Sequence, residues 1–463
     1  MSLPNTEEGA SGIARLLSGR KKLWFIGIGG VHMATMARYA AEKGFVVAGS
    51  DRVESARTAR LQAVGIPVYF GHDAARVVGY DAVIYTLALS KDNPEYNAAR
   101  HLGVPLFSRA DFLSFLMQDH ANRIGIAGSH GKSTVTAMLA HILTAAGRAP
   151  AVFCGAPLRG VSEEPRVQAR DAVFEACEYG DSFLRFSPTL AVLLNADHDH
   201  VDYFPTRETL KRSFCAYAAL PGKTGVVLCN AEDMLALSCA QTSEARLVTF
   251  GVDDGDFRAR VRNFNAGCGV FSPVLPQGRE LPEIRLRVPG CHNISNAVAA
   301  IAAADLLGVA GETICAALSA FPGVGRRMEY RGTSGGARLY DDYAHHPQEI
   351  VATLTAAREM AGKGRLLAVF QSHTYTRTKA FLAEICAALR LADRVLIAPI
   401  YPARETDTLG MSADVLAVGV GERATACQTL SEVAAALTAE LMAGDLAVVM
   451  GAGDVDRIFR EIF

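Results

Sequence analysis

Neither sign of charge is in excess along the 463 residues: 46 Lys+Arg stand against 48 Asp+Glu, a net charge of -2. The chain lacks the basic field that would hold nucleic acid or an anionic membrane, so its partners are expected to be small molecules. It also lacks any apolar run of about 18 residues, the length a membrane-crossing helix needs. Residues 1–19 carry Glu7 and Glu8 where an export signal needs a basic start and an apolar core, so neither insertion nor export is expected. No C-x-x-C pair or close spacing unites the ten cysteines, which are scattered from Cys154 to Cys427 and read as reduced thiols of a cytoplasmic protein. Without paired cysteines or H-E-x-x-H, zinc has no support. Fixed-period repeats and low-complexity tracts are missing too. What is present is a composition 50% hydrophobic and 20% charged, long enough for about two to four folded domains.

The apolar pattern gives the rhythm of an α/β protein. Leu23–Ile26 reads as a strand, Gly27–Gly30 as a turn, the stretch to Lys43 as a helix, and Phe45–Ala48 as a second strand ending in Gly49-Ser50-Asp51. Strands at Val68–Phe70 and Ala82–Thr86 extend this into a Rossmann-like parallel sheet over residues 1–119. A second domain, 120–325, opens with the strand Arg123–Ala127 and a helix marked by Val135, Met138, Leu139 and Ile142. Strands Ala172–Glu175, Leu190–Leu194 and Gly225–Cys229 continue its parallel sheet, and the alternation Ile284–Val288 predicts an antiparallel annex within 251–290. The rhythm restarts over 326–463 with Leu339-Tyr340, Leu366–Phe370, Arg394–Ala398 and Leu446–Met450, and Val433–Ala443 reads as a helix. The expectation is a three-domain α/β chain, with a small Rossmann-like domain last.

Between strand and helix of the second domain lies Gly128-Ser129-His130-Gly131-Lys132-Ser133-Thr134. Glycines let successive N–H groups face one anion, the helix start adds positive potential, Lys132 supplies a point charge, and a following hydroxyl can bind magnesium. This predicts a P-loop ATPase-like domain, although Ile126 occupies the first glycine position of the common spacing; a serine-capped turn is the plainer alternative. Glu175 ends a buried strand in Val173–Glu178, and Asn195–Asp202 ends the next, so both are expected on the sheet edge where ligands of open α/β sheets bind. Read alone, that acidic turn is a solvated loop. Gly27-Ile28-Gly29-Gly30-Val31-His32 resembles a dinucleotide fingerprint with His32 replacing its third glycine and Asp51 in the ribose place; a tight βα turn explains it equally. A nucleotide-bearing substrate accounts for both turns better than a nicotinamide cofactor. Asn293 and Asn296 open an alanine-rich helix and serve either as cap or as contacts to adenine. Asp341–Pro347 and Gln371–Arg377 place many polar groups at two strand ends, more than packing needs.

Together these motifs, with Glu175–Leu184, Asp199–Asp202, His292–Asn296, Gly323–Arg327, Phe370–Thr378 and Gly451–Asp454, resemble the Mur ligase family in its order and almost end to end. The resemblance implies an N-terminal domain for UDP-N-acetylmuramate, a central ATPase and a C-terminal domain that closes, with L-alanine joined to the lactyl carboxylate through an acyl phosphate. It implies that Gly128–Thr134 bind ATP, with Lys132 on its phosphates, and that Ser133, Thr134, Glu175 and His200 hold magnesium. Asn293 and Asn296 would face adenine, Arg327 the phosphates and Asp342 the ATP ribose. Tyr343, His345, His373 and Arg377 would surround alanine, and Gly27, Gly29, Gly30, His32, Asp51, His72 and Arg109 the UDP-sugar. Departures fall at Ser129 and Ser133 for threonine, Cys177 and Gly180 for aspartate, and Thr374 for arginine. A sister ligase attaching a peptide to the same sugar is the alternative within the family. Outside it stand a nucleotide switch, which should carry an N-K-x-D motif that is missing, and a dehydrogenase using the first turn. Monomer and homodimer stay open.

Overall fold

The computed structural model describes residues 10–87, 89–162, 164–198, 200, 203–403 and 405–463, so Asp199, Val201 and Asp202 of the acidic turn lie outside the described residues. The chain forms two compact units. One comprises the chain up to Arg260 with Pro273–Pro282 and Asn296–Leu318, and the other 261–272, 283–295 and 319–463.

The first unit holds two parallel sheets. Strands β1 (Lys22–Ile26), β2 (Val46–Asp51), β3 (Val68–Phe70), β4 (Ala82–Tyr85) and β5 (Leu106–Ser108) lie in the order β3-β2-β1-β4-β5. All pairs are parallel, with Ile26 opposite Ser50. Strands β6 (Asn122–Ala127), β7 (Ala151–Phe153), β8 (Asp171–Glu175), β9 (Leu190–Leu193), β10 (Val226–Asn230) and β11 (Arg246–Phe250) form β11-β10-β9-β6-β8-β7, again parallel. Helices cover both faces, which is why these strands are continuous apolar runs instead of alternating ones. One apolar core joins the sheets: Phe25, Phe112, Phe153, Phe174 and Phe214 belong to a single cluster. At this join Tyr39 packs on Phe153, and its hydroxyl meets His120 Nε2 at 2.6 Å. In each sheet the strand order reverses direction beside the first strand, and the glycine-rich turns leave that strand's carboxyl end, the place where open α/β sheets accept ligands.

The antiparallel annex is β12 (Arg258–Asn265), β13 (Cys268–Val274) and β14 (Ile284–Pro289), with Phe271 opposite Ile284. Strands β15 (Glu329–Ser334), β16 (Ala337–Asp342), β17 (Leu366–Phe370), β18 (Arg394–Ile397), β19 (Ala424–Ala426) and β20 (Leu446–Met450) form the second unit's main sheet, β15-β16-β20-β17-β18-β19. Only β15 in it runs antiparallel, paired to β16. Alternate residues serve two cores: Leu366, Ala368 and Phe370 of β17 face one, Leu367 and Val369 the other. The helix expected at Val433–Ala443 occupies Leu430–Glu440. No helix among the described residues is long and apolar enough to cross a membrane, and all ten cysteines are free.

Candidate functional site

The central turn is folded onto the end of β9. Asn195 Oδ1 accepts from His130 N at 2.8 Å, and Ser129 Oγ both donates to Asp197 O, at 2.8 Å, and accepts from Asp197 N, at 2.9 Å. Gly131 caps the helix Lys132–Ala145 at φ +84°, a backbone conformation that disfavours side chains. A Cβ there would also stand 2.6 Å from Asn296 Oδ1, so Asn296 lies directly against the turn. Lys132 Nζ curls back to donate to the carbonyls of Gly128 and Ser129 and to Glu178, 3.0 Å from Oε2. Glu178 is almost fully buried, and its Oε1 is 3.6 Å from His200 Nε2. Burial alone would lower the Lys132 pKa, but Glu178 with Cys177 and Glu175 outweighs it and holds the ammonium above its ordinary range. The lysine is desolvated, charged and already aimed along the turn.

Glu175, at the end of β8, accepts from Gly155 N at 2.7 Å and the Cys154 thiol at 3.0 Å, and it bonds the Ser133 hydroxyl. Burial pushes its carboxyl up; His32, Cys154, Gly155 and Ser133 together bring it below the usual value. The Ser133 and Glu175 oxygens are hard donors of the kind magnesium takes, with Thr134 half-buried in the same helical turn. Among the described residues no group of three His, Cys, Asp or Glu side chains stands together as a metal cage. His200, held at φ +53°, stands beside Glu178 and the Tyr179 ring.

Sequence reasoning assigns His32 and Glu175 to different ligands, yet the structure brings them together: His32 Cε1 and Glu175 Oε2 both flank Gly155. Burial and then Arg109 lower the His32 pKa to about 4, against an opposing pull from Glu175. Its buried Nε2 has no hydrogen-bond partner among the described residues. Asp51, expected at a ribose, grips its own turn, with Oδ2 accepting from Gly29 N at 2.8 Å, while Arg57 Nε donates to Gly29 O at 2.7 Å. Gly27 takes φ +77°, and Gly30 caps the following helix, Val31–Glu42. His72 lies near Ser50 and Glu95, at 3.0 and 3.2 Å from its Nδ1.

In the second unit, two adjacent arginines diverge. Arg326, at φ +57°, donates to Gly451 O (2.6 Å) and Gly453 O (3.2 Å) and pairs with Asp341, tying three strand ends together. Arg327 instead faces Glu349 at 3.5 Å, while both guanidinium groups lie over the Tyr343 ring, Arg326 at 5.1 Å and Arg327 at 5.6 Å from its centroid. Asp342 is buried, accepting from Met328 N at 2.7 Å and Ala344 N at 2.8 Å; burial raises its pKa although Arg327 opposes. Tyr343, His345, His373 and Arg377 do come together: the His345 ring is 5.6 Å from Tyr343 and 6.1 Å from His373, and Arg377 Nη1 is 3.5 Å from His373 Nδ1. Tyr401 stacks on His373. Thr374, at φ +67°, caps the short helix that carries Arg377. Asn293 donates its side-chain amide to Pro289 O at 2.7 Å. Glu178, Tyr401 and Arg326 escaped sequence reasoning; only the acidic spacing Glu175–Glu178 signalled the first.

Three family models match: "Mur ligase family, catalytic domain" over residues 22–121, "Mur ligase middle domain" over 126–304 and "Mur ligase, glutamate ligase domain" over 326–453. A UDP-N-acetylmuramate--L-alanine ligase of Caldicellulosiruptor bescii is 39% identical, the match covering 94% of this chain and 97% of its own. The crystal structure of the UDP-N-acetylmuramate-alanine ligase of Thermotoga maritima is similar with a TM-score of 0.81 at 29% identity, covering 95% and 98% of the two chains. The UDP-N-acetylmuramate:L-alanyl-gamma-D-glutamyl-meso-diaminopimelate ligase of Neisseria meningitides gives 0.59 at 31% identity, covering 66% of this chain and 100% of that one.

Proposed function

The chain belongs to the Mur ligase family, and we propose that it joins L-alanine to the lactyl carboxylate of UDP-N-acetylmuramate at the expense of ATP, a step of peptidoglycan precursor synthesis. The observation that carries this reading is the near full-length identity to L-alanine ligases, in a chain whose central turn holds a buried, charged lysine. A carboxylate resists an amine because its charge repels the nucleophile and oxide leaves poorly. Moving the γ-phosphoryl of ATP onto it yields ADP and an acyl phosphate. The alanine amine then forms the C–N bond, and collapse of the tetrahedral intermediate expels inorganic phosphate.

Lys132 would exchange Glu178 and the Gly128 carbonyl for phosphate oxygens, its desolvation already met by the fold. Arg327 would add positive charge at the transferring group. Ser133, Thr134, Glu175 and His200 would hold magnesium, which when bound supplies neutralising charge to the phosphates. Asn293 and Asn296 would face adenine and Asp342 the ribose. Tyr343 and Arg377 would orient alanine, while His345 or His373 takes the amine proton. The UDP-sugar falls to Gly27, Gly29, Gly30, His32, Asp51, His72 and Arg109, which assigns residues 1–119 to that substrate, 120–325 to ATP and 326–463 to alanine. The cytoplasm, where both nucleotides are available, is the proposed compartment.

The test is ADP formation with UDP-N-acetylmuramate and, in turn, L-alanine, glycine, L-serine and a tripeptide. Turnover with L-alanine is expected; turnover with the tripeptide alone would transfer the reading to the peptide-attaching sister, and none with any acceptor would end it.

A further inference from the structure

Glu95 is a fully buried carboxylate that the reaction as described does not use. It lies in the first turn of the helix Pro94–His101, whose cap, Asn93, accepts from Glu95 N and Tyr96 N. Its Oε2 accepts from Ser50 Oγ at 2.5 Å and stands 3.2 Å from His72 Nδ1, while Oε1 accepts from Asp73 N at 3.2 Å. Ser50, also fully buried near the end of β2, places its Oγ 3.0 Å from the same imidazole nitrogen. The proton inventory then fixes the ring. Ser50 spends its hydrogen on Glu95, so both oxygens facing Nδ1 are acceptors, and Nδ1 must carry the proton. Neutral His72 is left with a lone pair on Nε2.

The sheet order says which part of a ligand this nitrogen meets. His72 follows β3, and β2 separates β3 from β1 and its glycine-rich turn. Its imidazole reaches back over β2, with Nδ1 3.0 Å from Ser50 Oγ, so the ring stands about one strand spacing, about 4.8 Å, from β1. In folds of this kind the diphosphate sits at the turn and the ribose at the end of the second strand, so a ring lying over the end of β2 faces the nucleoside half. Resting on the UDP-sugar reading above, we propose that Glu95, with Ser50, is a positioning residue that fixes His72 as the Nδ1-protonated tautomer. Nε2 then accepts a hydrogen bond from the nucleoside half of the substrate, either uracil N3–H or a ribose hydroxyl.

Steady-state kinetics of the full chain test this with E95Q, E95D, S50A and H72A, and with N3-methyl, 2′-deoxy and 3′-deoxy analogues of UDP-N-acetylmuramate. E95Q should raise the KM for UDP-N-acetylmuramate about tenfold, as expected for one hydrogen bond, with kcat and the KM values for ATP and L-alanine unchanged. E95D should recover part of the loss, and S50A, which keeps the carboxylate, should cost about threefold. In an H72A background E95Q should add nothing. One analogue should bind the wild type about tenfold more weakly than the parent and lose that handicap in H72A; the N3-methyl form points to the base, a deoxy form to the sugar. Additive effects of E95Q and H72A, a fall in kcat shared by every substrate, or analogues all equal to the parent would overturn the proposal. A wild type indifferent to UDP-N-acetylmuramate would overturn the functional reading, and this inference with it, whereas a responsive wild type with silent variants removes only the inference.

Discussion

Two glycine-rich turns of one unit, Gly27–Gly30 and Gly128–Gly131, each follow a buried parallel strand and open a helix, yet they treat the basic residue beyond them in opposite ways. His32 is discharged by burial, then by Arg109, to a pKa of about 4, whereas Lys132 keeps its charge in spite of burial because Glu178 faces it at 3.0 Å. The difference lies in the partner. On the proposed reading, the first turn holds a diphosphate that never reacts and needs hydrogen bonds alone, while the second holds a phosphoryl group whose charge shifts during transfer and needs a fixed cation. The motif places the anion; the residue paired with the base decides what happens to it.

The largest effect expected from this contrast is that of Lys132→Ala. Loss of one preorganised contact to a transferring group costs about 10²- to 10³-fold, so ADP release should fall by that much while UDP-sugar binding, measured by calorimetry, is unchanged. Retained ADP release would break the comparison. Next comes Glu178→Gln, which leaves a buried ammonium without its counter-charge and should destabilise the fold by about 3 kcal/mol in thermal or denaturant unfolding. An ATP analogue supplies the missing anion, so its thermal shift should be larger in E178Q than in the wild type. His32→Gln breaks no ion pair and should cost about 1 kcal/mol.

Much of this frame was legible in the residues themselves. Val68–Phe70, Leu366–Phe370 and Leu446–Met450 stand as strands at the residues where their apolar runs begin and end. Strand order was not, because periodicity says which face is buried and nothing of which neighbour is chosen; β20 enters between β16 and β17 from the far end of the chain. The turn Gly128–Thr134 announced itself through local spacing, whereas Glu178 acquires its meaning from a lysine 46 residues away. Ser50, His72 and Glu95 are likewise joined only by β2, β3 and a helix start converging. Arg326 and Arg327 look alike in sequence, and it is the left-handed backbone at Arg326 that sends one to the strand ends and the other toward Glu349.

The two turns can also be perturbed symmetrically. At Gly131 an alanine must adopt φ +84° and place its Cβ 2.6 Å from Asn296 Oδ1, a strain of about 1–2 kcal/mol before the clash is counted. At Gly29 the added Cβ would meet Thr58 Cγ2 at 2.7 Å and Asp51 Oδ2 at 2.8 Å. G131A should raise the KM for ATP about tenfold and spare that for UDP-N-acetylmuramate, and G29A should do the reverse, each shift corresponding to about 1.4 kcal/mol. Variants that moved both constants together would show that the turns do not hold separate ligands.

The smallest expected effect separates two uses of Asp51. Its Oδ2 accepts from Gly29 N and its Oδ1 from Arg52 N, so the carboxylate shapes the first turn before any ligand arrives. Asparagine keeps one carbonyl oxygen, enough for Gly29, and replaces the other oxygen by an amide donor. If Asp51 acts through the turn alone, D51N keeps the part-buried Gly29 bond and loses only the exposed ones from Arg52 N and Val53 N, which water replaces, so the KM for UDP-N-acetylmuramate should stay within error of the wild type, with D51A the damaging variant. If the carboxylate also accepts from a substrate hydroxyl, D51N loses a charge-assisted bond and should raise that KM about threefold, close to 0.65 kcal/mol, with ATP unaffected. The threefold rise is the expected result, since the carboxyl end of β2 is where a nucleotide sugar held along this sheet edge presents its hydroxyls, and a carboxylate, with about four acceptor sites, has room left after three backbone bonds.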